Sequence, residues 1–291
     1  MLMRCKCVSC LLVLLLAKST LADTLVSNNT WLQGVLFAAM SYNVWFDKDT
    51  AEERYPALLK LIAKKGADII FLQEVTPSFI RHQRSSEAVE QYSFYTTSNA
   101  QRSYGLAYLA KIPLDNLRTV SLPSQYGRTV FFATYEVAPN EWLVLANVHL
   151  ESGQGEQAAR SVQIEVINTK ILPAYIDELR DIQPKIKVLG MLWGGDFNID
   201  GDESHSLLDT HWLDVASKQS DLYKMTYDVK ANPLANKTSG WFESSSRLDR
   251  FYFQSMNRNS KVNSYRVIDT VNGIKNILSD HYPVYTELVF E

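Results

Sequence analysis

The chain has 291 residues, 46% of them hydrophobic and 21% charged, with a formal net charge of −3. That length suits one large domain or two small ones, and the lack of repeats or low-complexity tracts marks a globular chain. The mildly acidic balance excludes a protein that grips nucleic acid through a broad basic surface.

Residues 1–7 carry Arg4 and Lys6, residues 8–17 form an apolar run, and residues 18–22 end in the small residue Ala22. A basic segment, a short apolar segment and a small residue are the parts of an export signal, and the run is too short to span a bilayer comfortably. Residues 1–22 are therefore expected to form a removed signal peptide and 23–291 the mature domain, secreted or periplasmic. Cleavage after Ala22 removes Arg4, Lys6 and Lys18 and no acidic residue, leaving 26 basic against 32 acidic side chains and a net charge of −6. It also removes Cys5, Cys7 and Cys10, all the cysteines of the chain, so the mature domain is expected to form no disulfide. Asn28 and Asn236 begin glycosylation-acceptor triplets, which matter only in a eukaryotic host.

Residues 37–45 read as a first strand ending near Tyr42-Asn43. Asp49 or Thr50 can cap a helix from Ala51, with Glu52 and Glu53 in its first turn and Lys64-Lys65 in its last. Leu58, Leu59 and Ile62 give that helix an apolar stripe, and Gly66 stops it. A buried strand at 68–72 follows, then shorter ones at 94–97, 105–110, 129–137 and 142–148. A second amphipathic helix spans 157–172, and strands at 187–192, 251–253, 261–268 and 284–289 close the chain. Many strands with few helices, and no clean β-α alternation, predict two packed mixed sheets flanked by helices in one α/β domain.

Four short motifs punctuate this pattern in order: Gln73-Glu74-Val75, Asn147-Val148-His149-Leu150, Gly195-Asp196-Phe197-Asn198 and Ser279-Asp280-His281. Each follows an apolar run, so each is expected at a strand end, where a side chain is held with little freedom. Singly, each has an ordinary reading. Glu74 suits a solvated strand end, Asp196 a turn, His149 a satisfied core position, and Asp249, beside Arg247 and Arg250, a surface ion pair. Their joint occurrence points instead to hydrolytic metal chemistry. Hydrolysis of a phosphate ester needs a cation, an activated water and stabilisation of the leaving oxygen. Hard divalent ions such as Mg²⁺, with Mn²⁺ as an alternative, take a few carboxylates, and Glu74 and Asp280 are the candidate ligands. Asp196, with Asn198 two residues on, is the candidate base. His281 and His149 can donate to phosphoryl oxygens, and Asp249 can hold the His281 ring.

The set Asn43, Gln73-Glu74, Asn147 with His149-Leu150, Gly195-Asp196 with Asn198, Asp249 and Ser279-Asp280-His281 resembles the endonuclease/exonuclease/phosphatase superfamily, from about residue 41 to the end. The resemblance implies a four-layer α/β sandwich, a site at one edge of the paired sheets and Mg²⁺-dependent phosphoester cleavage. Residues 69–75, Gly127-Arg128, His149-Leu-Glu-Ser152 with Arg160 and Gln163, Thr226-Tyr-Asp228 and residues 248–253 look closest to its tyrosyl-DNA phosphodiesterase 2 branch. By that likeness Asn43, Arg128 and Ser152 lie at the phosphate and Trp241 in the substrate groove. Trp45 departs from the branch, which usually has an acidic residue there, and Asn-Val-Trp is more similar to neutral sphingomyelinases. The expected substrate is a nucleic-acid end, including a 5′-phosphotyrosyl end. The alternatives are an exported sphingomyelinase-like phospholipid or sugar-phosphate hydrolase, for which residues 240–242 could supply aromatics, and a binding module that has lost its chemistry. No obligate protein partner is expected, and the protein is expected to act as a monomer.

Overall fold

Strand β1 (Val35–Asn43) turns Phe37 and Ala39 to one face and Ala38, Met40 and Tyr42 to the other, and both faces are buried. The computed structural model describes residues 34–200, 203, 211–217, 219–240, 242–256 and 260–291; the expectations for residues 1–22, Asn28 and Trp241 lie outside the described residues. Helix α1 (Ala51–Lys65) buries Ala51, Arg54, Tyr55, Leu58, Leu59, Leu61 and Ile62 along one stripe. Gly66 ends it at φ 65°, its N–H donating to Ile62 O, the left-handed stop that glycine adopts without strain. The expected side-chain cap does not form. Thr50 sits at φ 60° with no cap bond, and its carbonyl instead receives the Glu53 and Arg54 amides. Strand β2 (Ile69–Val75) is wholly buried. Helix α2 (Pro77–Ser85), not foreseen, starts where the Thr76 side chain accepts from Phe79 N–H and Pro77 fills the first turn.

Strands β3 (Ser93–Thr96), β4 (Gly105–Ala110) and the unforeseen, mostly exposed β5 (Asp115–Ser121) follow. Strands β6 (Thr129–Ala138) and β7 (Glu141–His149) lead to helix α3 (Gln157–Val166). Here the helical path does not end at residue 172. A π-helical turn, Ile167–Ile171, passes into α4 (Leu172–Ile182), because Pro173 falls in a first turn, where its missing N–H is not needed. Strand β8 (Lys187–Asp196), the short β9 (Leu213–Asp214), helix α5 (Pro233–Lys237), β10 (Asp249–Ser255), β11 (Ser260–Val267), the hairpin β12 (Thr270–Val271) and β13 (Ile274–Lys275), and β14 (Val284–Phe290) complete the order.

One sheet runs β11-β14-β1-β2-β4-β3 and the other β5-β6-β7-β8-β10-β9. Phe71, Tyr108, Phe131, Leu145, Leu192 and Phe251 pack between them. Leu58, Leu59 and Phe79 pack α1 and α2 on the outer face of the first sheet, and Ile164, Tyr175 and Leu179 pack α3 and α4 on the second. The expected four-layer sandwich of two mixed sheets flanked by helices is borne out. Buried amides tie the sheets together: Gln73 Nε2 donates to Asn147 Oδ1 at 2.8 Å, and Asn147 Nδ2 donates to Leu72 O and Ala107 O. Each polar group is paired, so the link fixes one arrangement without an unpaired buried amide.

Pairing brings the motifs to one edge. Strand β1 lies parallel to β2, with Asn43 beside Gln73, and β7 parallel to β8, with His149 beside Asp196. Strand β10 runs antiparallel to β8, so its first residue, Asp249, pairs with Asp196, the last of β8. The Ser-Asp-His expectation needs correcting: the motif precedes β14 rather than ending a strand. Because β14 is antiparallel to β1, with Val284 opposite Ser41, its beginning still arrives at the shared edge.

Candidate active site

The ends of β2 and β8 depart from ordinary strand backbone. Pairing of β2 with β4 shifts between Leu72 and Val75, and within that bulge Glu74 takes φ 58°. Bulges re-aim side chains next to active sites; Glu74 is 8% exposed and lines the cleft. Asn198 and Trp45 also lie in the left-handed region, at φ 51° and 59°. The glycines before Asp196 are required by closeness. A Cβ on Gly195 would stand 2.1 Å from Val148 O, and one on Gly194 would stand 2.3 Å from the Phe251 ring.

Asp196 is the hub. Its Oδ2 accepts from Asn43 Nδ2 at 3.0 Å and lies 3.5 Å from His149 Nε2 and 3.8 Å from His281 Nε2. Its Oδ1 accepts from the Asn198 amide at 3.0 Å. Burial would raise its pKa, but His281, His149 and these hydrogen bonds outweigh burial and hold the carboxyl below its ordinary value. The same Asn43 Nδ2 donates to Glu74 Oε1 at 3.0 Å, and the Phe46 amide donates to Glu74 Oε2 at 2.9 Å.

The two histidines are set oppositely. His281 Nδ1 lies 2.7 Å from Asp249 Oδ2. Burial alone would lower its pKa, but Asp249, Asp196 and Asp280 together push it well above the ordinary value, so the ring stays charged. Arg128 contacts His149 Nδ1 at 3.0 Å. A guanidinium only donates, so that nitrogen accepts and the ring proton sits on Nε2. Burial and the Arg128 charge push His149 well below its ordinary pKa, which leaves a neutral donor. Arg128 also donates to Ser152 Oγ. Asn198 Nδ2 donates to Leu150 O at 3.1 Å and lies 3.4 Å from Ser152 Oγ.

Asp280 is held by Thr238 Oγ1 at 3.2 Å and Ser279 Oγ at 3.2 Å. Burial raises its carboxyl to about 6. Burial and then the Asp280 charge raise Glu74 to about 7. Two buried carboxyls that resist ionising together form the oxygen-donor set that a hard divalent cation relieves. A second cluster is Asp196, Asp249 and His281, with one ligand atom from each within 4.8 Å of the others. There the His281 Nδ1 is already engaged with Asp249 Oδ2 at 2.7 Å, and Asp249 stands behind the cleft, whereas Glu74 and Asp280 line it. Glu74 and Asp280 therefore fit a cation better.

One cleft gathers Glu74, Arg128, His149, Ser152, Asp196, Asn198, Asp280 and His281, with Trp45, Phe46, Tyr104, Tyr126, Tyr227 and Phe242 among its walls. Asn43 and Asp249 stand behind it, in contact with Asp196 and His281. Of the catalytic, binding and metal candidates read from sequence, only Trp241 is outside the described residues. Several supports escaped that reading. Thr226 Oγ1 receives the Leu248 and Asp249 amides, Tyr227 packs its ring 5.3 Å from His281, and Thr238 holds Asp280. None stands in a motif that spacing alone would single out, although Thr226-Tyr marked the resemblance.

The profile of the Endonuclease/Exonuclease/phosphatase family matches residues 40–281. Tyrosyl-DNA phosphodiesterase 2 of Xenopus laevis is 24% identical over 238 residues, 78% of this chain and 58% of that protein. The human tyrosyl-DNA phosphodiesterase 2 is 25% identical over 146 residues, 48% of this chain and 39% of that protein. The chain thus spans less than two thirds of the length of the curated relatives it matches. Among solved structures, D. rerio TDP2 complexed with single-strand DNA product has a TM-score of 0.68 at 22% identity, covering 87% of this chain and 98% of that one. Truncated Caenorhabditis elegans TDP2 has a TM-score of 0.67 at 22% identity, covering 89% of this chain and 100% of that one. A Bacteroides thetaiotaomicron mannosyl-6-phosphatase has a TM-score of 0.64 at 18% identity, covering 87% of this chain and 100% of that one. All three share the fold.

Proposed function

This chain belongs to the endonuclease/exonuclease/phosphatase family, and on that premise we propose that it is a Mg²⁺-dependent phosphodiester hydrolase acting on nucleic-acid ends, 5′-phosphotyrosyl ends included. The observation that carries the reading is the convergence on Asp196. An ionised carboxylate, a charged His281, a neutral His149 and two cation-ready carboxyls face one cleft.

Glu74 and Asp280 would hold the cation, which when bound offsets charge on the phosphoryl oxygens. Asp196, kept ionised and fixed by Asn43 and Asn198, accepts the proton of the attacking water. His281, kept charged by Asp249, and the Nε2–H of His149 donate to the phosphoryl oxygens as negative charge builds there. Arg128 fixes His149 in the donating tautomer and, with Ser152, forms the phosphate-binding wall.

A second reading is a lipid or sugar phosphomonoester or diester hydrolase. Trp45, at 3% exposure, and the half-exposed Phe46 line the cleft where a smaller headgroup would rest. We further propose export, with residues 1–22 removed. Purified protein with Mg²⁺ should be assayed on a 5′-phosphotyrosyl oligonucleotide, plain DNA, sphingomyelin and a sugar phosphate. Preference for the phosphotyrosyl end supports the main reading. Turnover of only sphingomyelin or the sugar phosphate selects the second. Full activity in excess chelator sinks the metal assignment.

A further inference from the structure

Arg54 lies on the buried stripe of α1, 5% exposed, and its two terminal nitrogens donate to four backbone carbonyls. Nη1 reaches Val44 O at 3.2 Å and Leu278 O at 2.9 Å, and Nη2 reaches Trp45 O at 3.3 Å and Asp47 O at 2.9 Å. The guanidinium carbon stands 4.6 Å from the centre of the Trp45 ring.

The far sides of two of these peptide groups face the site residues. A peptide unit is planar, so a carbonyl pulled one way sends its amide the other. The Val44 carbonyl goes to Arg54, and the Trp45 N–H across that bond donates to Asn43 Oδ1 at 3.0 Å. The Trp45 carbonyl goes to Arg54, and the Phe46 N–H across that bond donates to Glu74 Oε2 at 2.9 Å. Asn43 so fixed presents its Nδ2 to both Glu74 and Asp196. The Leu278 carbonyl, held by Arg54, leads into the Ser279-Asp280-His281 segment, whose Ser279 Oγ donates to Asn43 O at 2.7 Å. A positive charge on each carbonyl also polarises its peptide group and strengthens the opposite N–H as a donor.

We propose that Arg54 is a positioning residue for the hydrolytic site: it gathers the Val44, Trp45, Asp47 and Leu278 carbonyls around one planar cation and so aims the amides that orient Asn43 and Glu74 and anchors the Ser279-Asp280-His281 segment. Lysine cannot replace it, because an ammonium is a point charge without the fork that serves four acceptors. The kinetic part of this inference rests on the hydrolase reading above; the cation-binding part does not need turnover.

The test compares full-length Arg54→Gln and Arg54→Lys with wild type and with Leu58→Ala, which removes buried apolar volume from the same helix. All are measured well below their melting temperatures. Mn²⁺ affinity is read by titration calorimetry, and kcat and KM are read on the best substrate of the panel. Arg54→Gln should weaken Mn²⁺ binding and lower kcat by the roughly 10–100-fold that loss of a supporting residue costs at metal sites, with KM moving far less. Arg54→Lys should fall between, and Leu58→Ala should lower the melting temperature with Mn²⁺ affinity and kcat unchanged. Mn²⁺ affinity and kcat in Arg54→Gln within about twofold of wild type, or the same profile as Leu58→Ala, would overturn the proposal. If Arg54→Gln fails to fold, Arg54→Lys decides by the same two readouts. A wild type that binds Mn²⁺ but turns over no substrate defeats the hydrolase reading, while the calorimetry still judges Arg54.

Discussion

Asp196 is surrounded by donors, so removing its charge should act on the reaction more than on binding. Asp196→Asn is nearly isosteric, yet its amide nitrogen faces Asn43 Nδ2 or the Asn198 amide, each of which needs an acceptor. Turnover should fall by roughly 10²–10⁴-fold, the usual loss for a general base, with little change in KM. Normal turnover with collapsed binding would make Asp196 a ligand instead. The carboxyls facing it give a second expectation. In the cation-free protein Glu74 is raised to about 7 and Asp280 to about 6, both chiefly by burial. A raised carboxyl pKa favours the neutral form in the fold, so the stability it contributes is present at acid pH and is lost as pH rises through about 6 and 7. If Glu74 and Asp280 hold Mg²⁺ as proposed, binding requires both carboxylates ionised and so releases protons below that window. Calorimetry in buffers of different ionisation enthalpy should therefore show more proton release near pH 6 than near pH 8. Mg²⁺ should also raise the melting temperature more at pH 8 than at pH 5.5. Equal release at both pH values would remove the two carboxyls from the cation site.

At the scale of elements, the strand ends do the positioning, and Gly195 shows what that demands. At φ 145°, with Val148 O where a Cβ would go, Gly195→Ala combines backbone strain with overlap. It should destabilise the fold by about 3–5 kcal/mol, read as a drop in denaturant midpoint; an unchanged midpoint would mean that β7 and β8 are free to separate. The elements legible in sequence were those with strong apolar periodicity. β2, β7, β8 and α1 bury whole faces, and their patterns are correspondingly plain. The unforeseen elements lack that signal. β5 is an edge strand with exposed residues at most positions, and α2 buries only Phe79, Ile80 and Gln83. The continuation into α4 was hidden because Pro173 reads as a stop unless a new first turn begins there. The bulge that re-aims Glu74 leaves no trace in composition, since neither glycine nor proline marks it.

Over the whole molecule, what the sequence carried was an order of motifs, and the sheets turn that order into proximity. Parallel pairs β1-β2 and β7-β8 deliver Glu74, His149 and Asp196 at their ends, and antiparallel β10 and β14 deliver Asp249, Asp280 and His281 at or just before their beginnings. Strand direction is not written in a motif, which is why Ser-Asp-His looked like a strand end. Arg54 was hidden for a related reason: its partners are carbonyls, which every residue possesses. The same architecture bears on export. Every described strand and helix lies between Val35 and Phe290, and the first strand pairs from Val35 against Phe290. A chain lacking residues 1–22 keeps all of these elements and every cleft residue named above. It should match the full-length chain in melting temperature, Mn²⁺ affinity and kcat, and protein recovered from its native source should begin at or near Asp23 outside the cytoplasm. Calorimetry and N-terminal sequencing decide the two halves separately. A truncated chain that unfolds would show that the first residues belong to the fold. An intact Met1 on active cytosolic protein would refute export, and it would favour nucleic-acid ends over an extracellular lipid.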